Sequence, residues 1–317
     1  MNAQIFRLVL ARIGVALVTL VIVSFVVFAA TEMLPGDVAQ ILLGQAATPE
    51  AVAGLREAMH LNDPAILRFL RWLAGLLTGD LGTSYANNMR VADLIGGRLV
   101  NTLWLAAATT VIAVPLALFL GITTAMYRGS FYDRTVNVLV VGIISVPEFL
   151  IATLAVLVFA VWLRWLPALS LVSDIDSLTG ILRAYAMPVI TLAFVISAQM
   201  IRMTRAAVIE TLRAPYVEMA LLKGASRPRM VLRHALPNAI GPIVNAVALS
   251  LSYLLGGVII VETIFNYPGI AKLMVDAVAT RDLPLIQSCA MIFCVGYLVL
   301  ITFADVVAIM SNPRLRH

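Results

Sequence analysis

The sequence predicts an all-α polytopic membrane protein with six transmembrane helices. Three observations carry that reading. The 317 residues are 62% hydrophobic and only 12% charged, with a mean hydropathy of +0.99, whereas soluble domains run at roughly 45–50% apolar and about 25% charged. The apolar residues gather into six runs, each near the roughly 20 residues needed to cross about 30 Å of hydrocarbon. The runs are apolar on every face, where the strands of a barrel would alternate over about ten residues, and helices satisfy their own backbone groups in lipid. Disorder is excluded by the same composition. A disulfide scaffold is excluded because the two cysteines, Cys289 and Cys294, fall in one apolar run.

The first span, 8–30, has Arg7 and Arg12 at its start. Its apolar run exceeds the roughly 7–15 residues of a signal peptide, so it reads as a retained helix. The segment 31–98 is mixed in charge and carries turn signals at Leu34-Pro35-Gly36-Asp37 and Thr78-Gly79-Asp80-Leu81-Gly82. Between them, 49–59 and 65–77 read as short amphipathic helices with Thr48 and Asp63 as N-caps. Spans two to four follow at 103–125, 135–162 and 184–201, and spans five and six at 240–260 and 285–309. The domain organisation expected is therefore an N-terminal helix (1–30), an extracytoplasmic segment (31–98), a five-helix core (99–310) containing a basic cytoplasmic loop (202–239), and a tail (311–317).

Lysine and arginine set the orientation. One side collects Arg7, Arg12, Arg128, Arg134, Arg202, Arg205, Arg213, Lys223, Arg227, Arg229, Arg233, Arg314 and Arg316, and the short loops of the other side hold Arg164, Arg183, Lys272 and Arg281. Both termini are expected in the cytoplasm, with Trp162 and Trp165 at the outer interface. The net charge of +5 then reads as membrane topology rather than nucleic-acid binding. No phosphate loop or dinucleotide fingerprint occurs, so no nucleotide site is expected. His60, His234 and His317 are scattered, which offers no metal site. No nucleophile–base pair stands out either.

The loop between spans four and five reads Ala214-Pro-Tyr-Val-Glu-Met-Ala-Leu-Leu-Lys-Gly224-Ala-Ser, followed by Arg233-His-Ala-Leu-Pro-Asn238. Pro215 suits the first turn of a helix. Glu218 near its start and Lys223 near its end complement the dipole, and Gly224 can take the left-handed conformation that stops it. Ser226 can cap a second helix leading through 229–238 to span five. The first helix would lie across the cytoplasmic face, where exposed Tyr216, Val217, Met219, Ala220 and Leu221 need a partner protein or lipid.

Glu218-Met-Ala-Leu-Leu-Lys-Gly224 with Leu236-Pro237 resembles the EAA loop of ABC importer permeases, E-A-A-x3-G-x9-I-x-L-P, with Met219 at an alanine position and His234 at the isoleucine. Arg233-His-Ala-Leu-Pro-Asn238 is similar to the dipeptide, oligopeptide and nickel branch. So are Leu34-Pro-Gly-Asp37, Gly79-Asp-Leu-Gly-Thr-Ser84, Arg202-x-x-Arg205, Val261-Glu-Thr-Ile-Phe-x-x-Pro-Gly269, Arg281-Asp282 and Asn312-Pro-Arg-Leu-Arg316, the last where most members have Asp-Pro-Arg. The resemblance implies the MetI-like fold of type I ABC importer permeases, and the long first outer segment is similar to the first of the two permeases in such systems. It implies a coupling helix docked on an ATPase, with Glu218 and Ala220 as docking surface, Gly224 as the turn, and Lys223, Arg227, Arg229 and Arg233 facing acidic groups. Tyr216, Val217, Met219, Ala225 and His234 belong to the same loop. Implied partners are a second homologous permease, two ATPase subunits that bind the ATP and Mg, an extracytoplasmic solute-binding protein and membrane lipid. The implied setting is a bacterial inner membrane and the implied cargo a di- or oligopeptide.

Polar groups within spans are costly, on the order of 2.5–3.5 kcal/mol for a charge at mid-helix, and they usually face a cavity or partner. Glu148 lies mid-way along span three, after Pro147 and near Ser145. It reads either as a carboxylate lining the pathway and meeting a peptide's amino end, or as a hydrogen-bonded group packing this subunit against its partner. By resemblance Glu262 and Asn266 lie near the outer mouth. Gln199, Asn245 and Asn101 are further candidates, Asp305 reads as structural, Gly256-Gly257 as a close helix approach, and Pro115 and Pro188 as kinks. Alternatives remain at this stage: the same architecture importing nickel, glutathione or an opine-like solute, a stand-alone transporter driven by an ion gradient, or a scaffold without transport.

Overall fold

The computed structural model describes residues 3–170 and 177–311. Among the described residues every regular element is helical, apart from an isolated bridge between Thr83 and Arg90. In chain order the helices are α1 (Ala3–Glu32), α2 (Val38–Leu43), α3 (Pro49–Ala58), α4 (Ala65–Thr78), α5 (Val91–Met126), α6 (Phe131–Ser145), α7 (Glu148–Ala155), α8 (Leu178–Leu212), α9 (Pro215–Leu222), α10 (Arg227–Arg229), α11 (Leu236–Ile264), α12 (Ile270–Thr280) and α13 (Leu283–Ser311). The tail, with its Asn312-Pro-Arg-Leu-Arg316 run, lies outside the described residues.

Among the described residues five helical stretches are long and apolar enough to cross a membrane: Arg7–Glu32, Val91–Met126, Thr179–Leu212, Arg227–Ile264 and Leu283–Val307. The sixth expected span, 135–162, is not one helix. It is the pair α6 and α7, bent by 101° at a break. Val146 precedes a proline and is driven out of the helical region, to φ −96° and ψ 130°. Pro147 then caps α7, and Glu148 is its first residue. Beyond Ala155 the chain widens into a π turn, Val156–Trp162. By contrast α5 and α8 run on through Pro115 and Pro188.

The chain forms two compact units. The smaller comprises Val15–Leu103 and Pro268–Gly296, the larger Met1–Gly14, Trp104–Tyr267 and Tyr297–His317. The smaller unit is centred on Val91 and Ile95 of α5, Ile270 and Leu273 of α12, and Leu285 and Ile286 of α13. Cys289 is buried there and Cys294 half-buried, both as thiols. Thr48 caps α3 as expected, its hydroxyl accepting from the Ala51 N–H at 3.2 Å. Asp63 does not cap α4. Pro64 holds that position, and the Asp63 carboxylate instead accepts from Arg71 at 2.6 Å.

In the larger unit α8 and α11 pack along one another, with Val208, Ile209, Ala239 and Ile243 in the core beside Ala125 of α5. Two glycines set how closely its helices meet. A Cβ on Gly121 would fall 2.8 Å from the Cβ of Thr204, and one on Gly257 would fall 3.1 Å from both Glu148 Oε2 and Leu192 Cδ2. Arg12 lies 3.3 Å from Asp305, the structural role expected of that carboxylate.

Candidate functional site

Helix α9 is short, and its ends explain why. Pro215 occupies its first turn with Glu218, and Lys223 is its C-cap. Gly224 follows at φ +82°. Its N–H donates to Leu221 O at 2.9 Å, and the next N–H, of Ala225, reaches back to Ala220 O at 3.1 Å. Those two bonds satisfy the last carbonyls and make the left-handed stop that only glycine adopts without strain. Ser226 stands at the start of α10 but its side chain makes no capping bond. The chain continues through a π turn, Met230–Ala235, into α11, so the second helix expected in this loop is the beginning of the fifth span.

One face of α9 points away from the rest of the unit. Tyr216, Glu218, Met219, Leu221 and Lys223 are exposed, and so is Leu222, at 76%. The expectation that Val217 and Ala220 share this face is not met. They are buried at 1% and 9% exposure, turned inward in a helix that packs on α8 and on the π turn. Arg229 and Arg233 are exposed, His234 and Ala225 half-buried. Among the described residues none of Lys223, Arg227, Arg229 and Arg233 is ion-paired within the chain. The surface is thus a row of large apolar side chains bordered by unneutralised cations. Such a surface suits an apolar groove edged with carboxylates.

The pathway candidates separate. Glu148 and Gln199 line one cavity of about 250 Å³, with Ile143, Ile196, Ser250 and Tyr253. Its walls come from α6, the break, α8 and α11. Gln199 also accepts a hydrogen bond from Arg202 at 2.9 Å. Ser145 is not among the lining residues, and its hydroxyl donates to Val141 O at 2.8 Å. Asn245 is exposed elsewhere on α11. Glu262 is fully buried at the end of α11, where its carbonyl accepts from the Tyr267 N–H. Burial, together with Tyr185 alongside, raises the Tyr267 phenol above its ordinary range. Sequence reasoning missed Ser250 and Tyr253. Their signal was helical spacing: seven and four residues before Gly257, they lie on the face against which Glu148 rests.

In the smaller unit the structure joins motifs that lie far apart in the chain. Asp282 is fully buried. It accepts from the Ser84 hydroxyl and, at 3.0 Å, from the Tyr85 N–H. Asn101 donates to Pro268 O at 2.9 Å and so braces a turn. The Asp37 carboxylate caps α2 through the Ala39 N–H and pairs with Arg56 at 2.7 Å. Its burial works against ionisation, but Arg56 and the Ala39 N–H outweigh it and hold the carboxyl below the ordinary carboxylate range.

Residues 113–317 match the model of the binding-protein-dependent transport system inner membrane component, and residues 5–106 match the corresponding N-terminal membrane component. The glutathione transport system permease protein GsiC of Escherichia coli K12 is 36% identical over 299 residues, 94% of this chain and 95% of that protein. Its namesake in Salmonella paratyphi A is 35% identical over 309 residues, 98% of both chains. Permeases of this kind carry no cofactor of their own and are not enzymes. With α9 and its glycine stop, the bent span and matches along nearly the whole length in view, this chain belongs to the binding-protein-dependent inner membrane transport family and is a multi-pass permease subunit of an ABC importer.

Proposed function

We propose that this chain, paired with a second homologous permease, forms the pathway of an importer for glutathione or a closely similar small peptide. The observation that carries the cargo is the similarity to the glutathione permeases along 94–98% of the chain. It favours the glutathione alternative over the broader di- or oligopeptide reading. Two cytoplasmic ATPases supply the energy, and an extracytoplasmic binding protein delivers the solute to the outer segment 31–98. Both termini are cytoplasmic, which puts the basic stretch around α9 beside the ATPases.

The docking surface is Tyr216, Glu218, Met219, Leu221 and Leu222, with Lys223, Arg229 and Arg233 at its border. Val217, Ala220, Gly224, Ala225 and His234 hold α9 in place. Glu148 offers a carboxylate to the cargo's ammonium group within a cavity walled by the bent span. ATP-driven motion of α9 would rock the helices around that cavity between two access states.

Two measurements test this. Detergent-solubilised wild type should retain a second permease and an ATPase, and a Glu218→Lys, Gly224→Asp double variant should keep the permease and lose the ATPase. In cells, uptake of labelled glutathione should need both ATP and the chain. Uptake of a dipeptide or of nickel at the same rate, with glutathione failing to compete, would overturn the cargo. Uptake that collapses with a protonophore while ATP is held constant would make the chain a gradient-driven transporter.

A further inference from the structure

A buried ion pair in the larger unit stands between the coupling helix and the bent span. The Asp133 carboxylate, in the first turn of α6, is 5% exposed. Arg205 of α8 grips it with two parallel bonds, Nε to Oδ1 at 2.8 Å and Nη2 to Oδ2 at 2.9 Å. Asn137 donates to Oδ1 at 2.7 Å and the Gly129 N–H to Oδ2 at 2.9 Å. A carboxylate has about four lone-pair sites, and here each meets a donor. The planar guanidinium fork fixes orientation as well as distance, which a lysine cannot do.

The two ends of this contact lead to different places. Toward the C-terminus, α8 runs seven residues past Arg205, about 10 Å, to Leu212. Three residues later, at Pro215, α9 begins. From Asp133, α6 runs to Ser145 and the break, where Glu148 opens α7. Little else anchors α6. Only Asp133 and Val140 of its residues are buried, while Val138, Leu139 and Val141 are broadly exposed. Its principal packing neighbour is α8. The same turn of α8 is gripped by α5, where Gly121 leaves no room for a methyl group against Thr204. A displacement of α8 at this level therefore takes α6 with it, and the break at Val146-Pro147 is where the motion turns toward the cavity.

We propose that Arg205 and Asp133 are positioning residues for transport, a strut that carries the movement of α9 through α8 into α6 and so to Glu148. This rests on the reading of α9 as the coupling helix. A wholly structural pair would support assembly and nothing more, whereas a strut sets how much solute moves for each ATP consumed.

The experiment uses the complete importer, with both permeases, the ATPases and the binding protein, in proteoliposomes. Wild type is compared with Asp133→Asn, Arg205→Lys and, as a control, Arg134→Gln, an exposed neighbour on α6. Three quantities are read: assembled complex, ATP hydrolysed, and glutathione moved per ATP. The strut predicts normal assembly, hydrolysis within about twofold of wild type, and at least a tenfold fall in glutathione per ATP for both pair variants, with Arg134→Gln unchanged. Spin labels on exposed Val138 and Leu222 should keep one separation with and without ATP in wild type and change it in Asp133→Asn. Glutathione per ATP unchanged in both variants would overturn the proposal, as would a loss that merely tracks the amount of complex. If wild type itself retains no ATPase, the coupling reading fails first, and that outcome is visible before any variant is compared.

Discussion

Two buried carboxylates, one in each unit, are held in opposite ways. Asp282 in the smaller unit is met by a hydroxyl and by backbone N–H groups of the 84–86 turn, 3.0 Å from the nearest of them. It immediately precedes α13, where the helix dipole favours a negative charge. Asp133 accepts one backbone N–H, from Gly129, but among the described residues its only bonds from another helix come from the Arg205 guanidinium. Dipoles that belong to the backbone cannot be withdrawn without unfolding the turn, so Asp282 behaves as a fixed rivet between sequence positions 198 apart. A charged side chain on another helix holds as firmly in one geometry, yet it joins two separately movable rods. The difference separates a unit built to stay still from one built to transmit.

Substitutions can break or sharpen that contrast. The largest loss is expected for Asp282→Ala, which strands buried donors at about 1–3 kcal/mol each. The solubilised protein should lose about 3 kcal/mol, read as a fall in its thermal unfolding midpoint. Asp133→Ala leaves a guanidinium that still reaches solvent, so its cost should be smaller, about 2 kcal/mol, below the 3–5 of a fully buried pair. If Asp133→Ala proves the more destabilising, the rivet-and-rod distinction fails.

Next comes Gly121→Ala, whose methyl would meet Thr204 at 2.8 Å and should cost about 1–3 kcal/mol. Gly257→Ala meets two side-chain ends at 3.1 Å and should cost less than Gly121→Ala in the same melt. Gly224→Ala places a Cβ at φ +82° and should cost about 1 kcal/mol, seen as faster hydrogen exchange at the Gly224 and Ala225 amides.

The smallest effect concerns acid. Asp37 has a folded pKa below its unfolded value, so it stabilises the fold above the ordinary carboxylate range. That contribution is lost as pH falls from about 4 through the lowered value. Exchange at the α2 amides should therefore stay slow down to about pH 4 and rise below it. In Arg56→Gln the α2 amides should already exchange faster at neutral pH, and acidification should change them less.

The all-α class, the spans and the stop at Gly224 were legible because each rests on local rules: run length, proline at a helix start, glycine after its end. The bend at Pro147 was half-legible, since a proline within a span bends a helix but says nothing of an angle as large as 101°. The inward turn of Val217 and Ala220 left no trace, because the neighbours Tyr216, Met219, Leu221 and Leu222 are also apolar and a helix without polar contrast has no readable face. Ser84 and Asp282 were seen as separate motifs, and no periodicity reports a contact between residues so far apart. The Arg205–Asp133 pair was invisible for the same reason: Arg205 was noticed for its charge and its motif, and Asp133 not at all.

The π turn at Met230–Ala235 has a bearing on how this lineage can change. Such a turn holds one residue more than an α-helix needs. Removing any one of the six would let the helix close into regular α geometry without breaking its run of hydrogen bonds. Because the wide turn already absorbs the extra residue, the segments on either side would keep nearly the same orientation. A single codon lost here would leave a stable helix and the short one before it aimed much as before, making this turn a place where the loop can change length while the spans remain untouched.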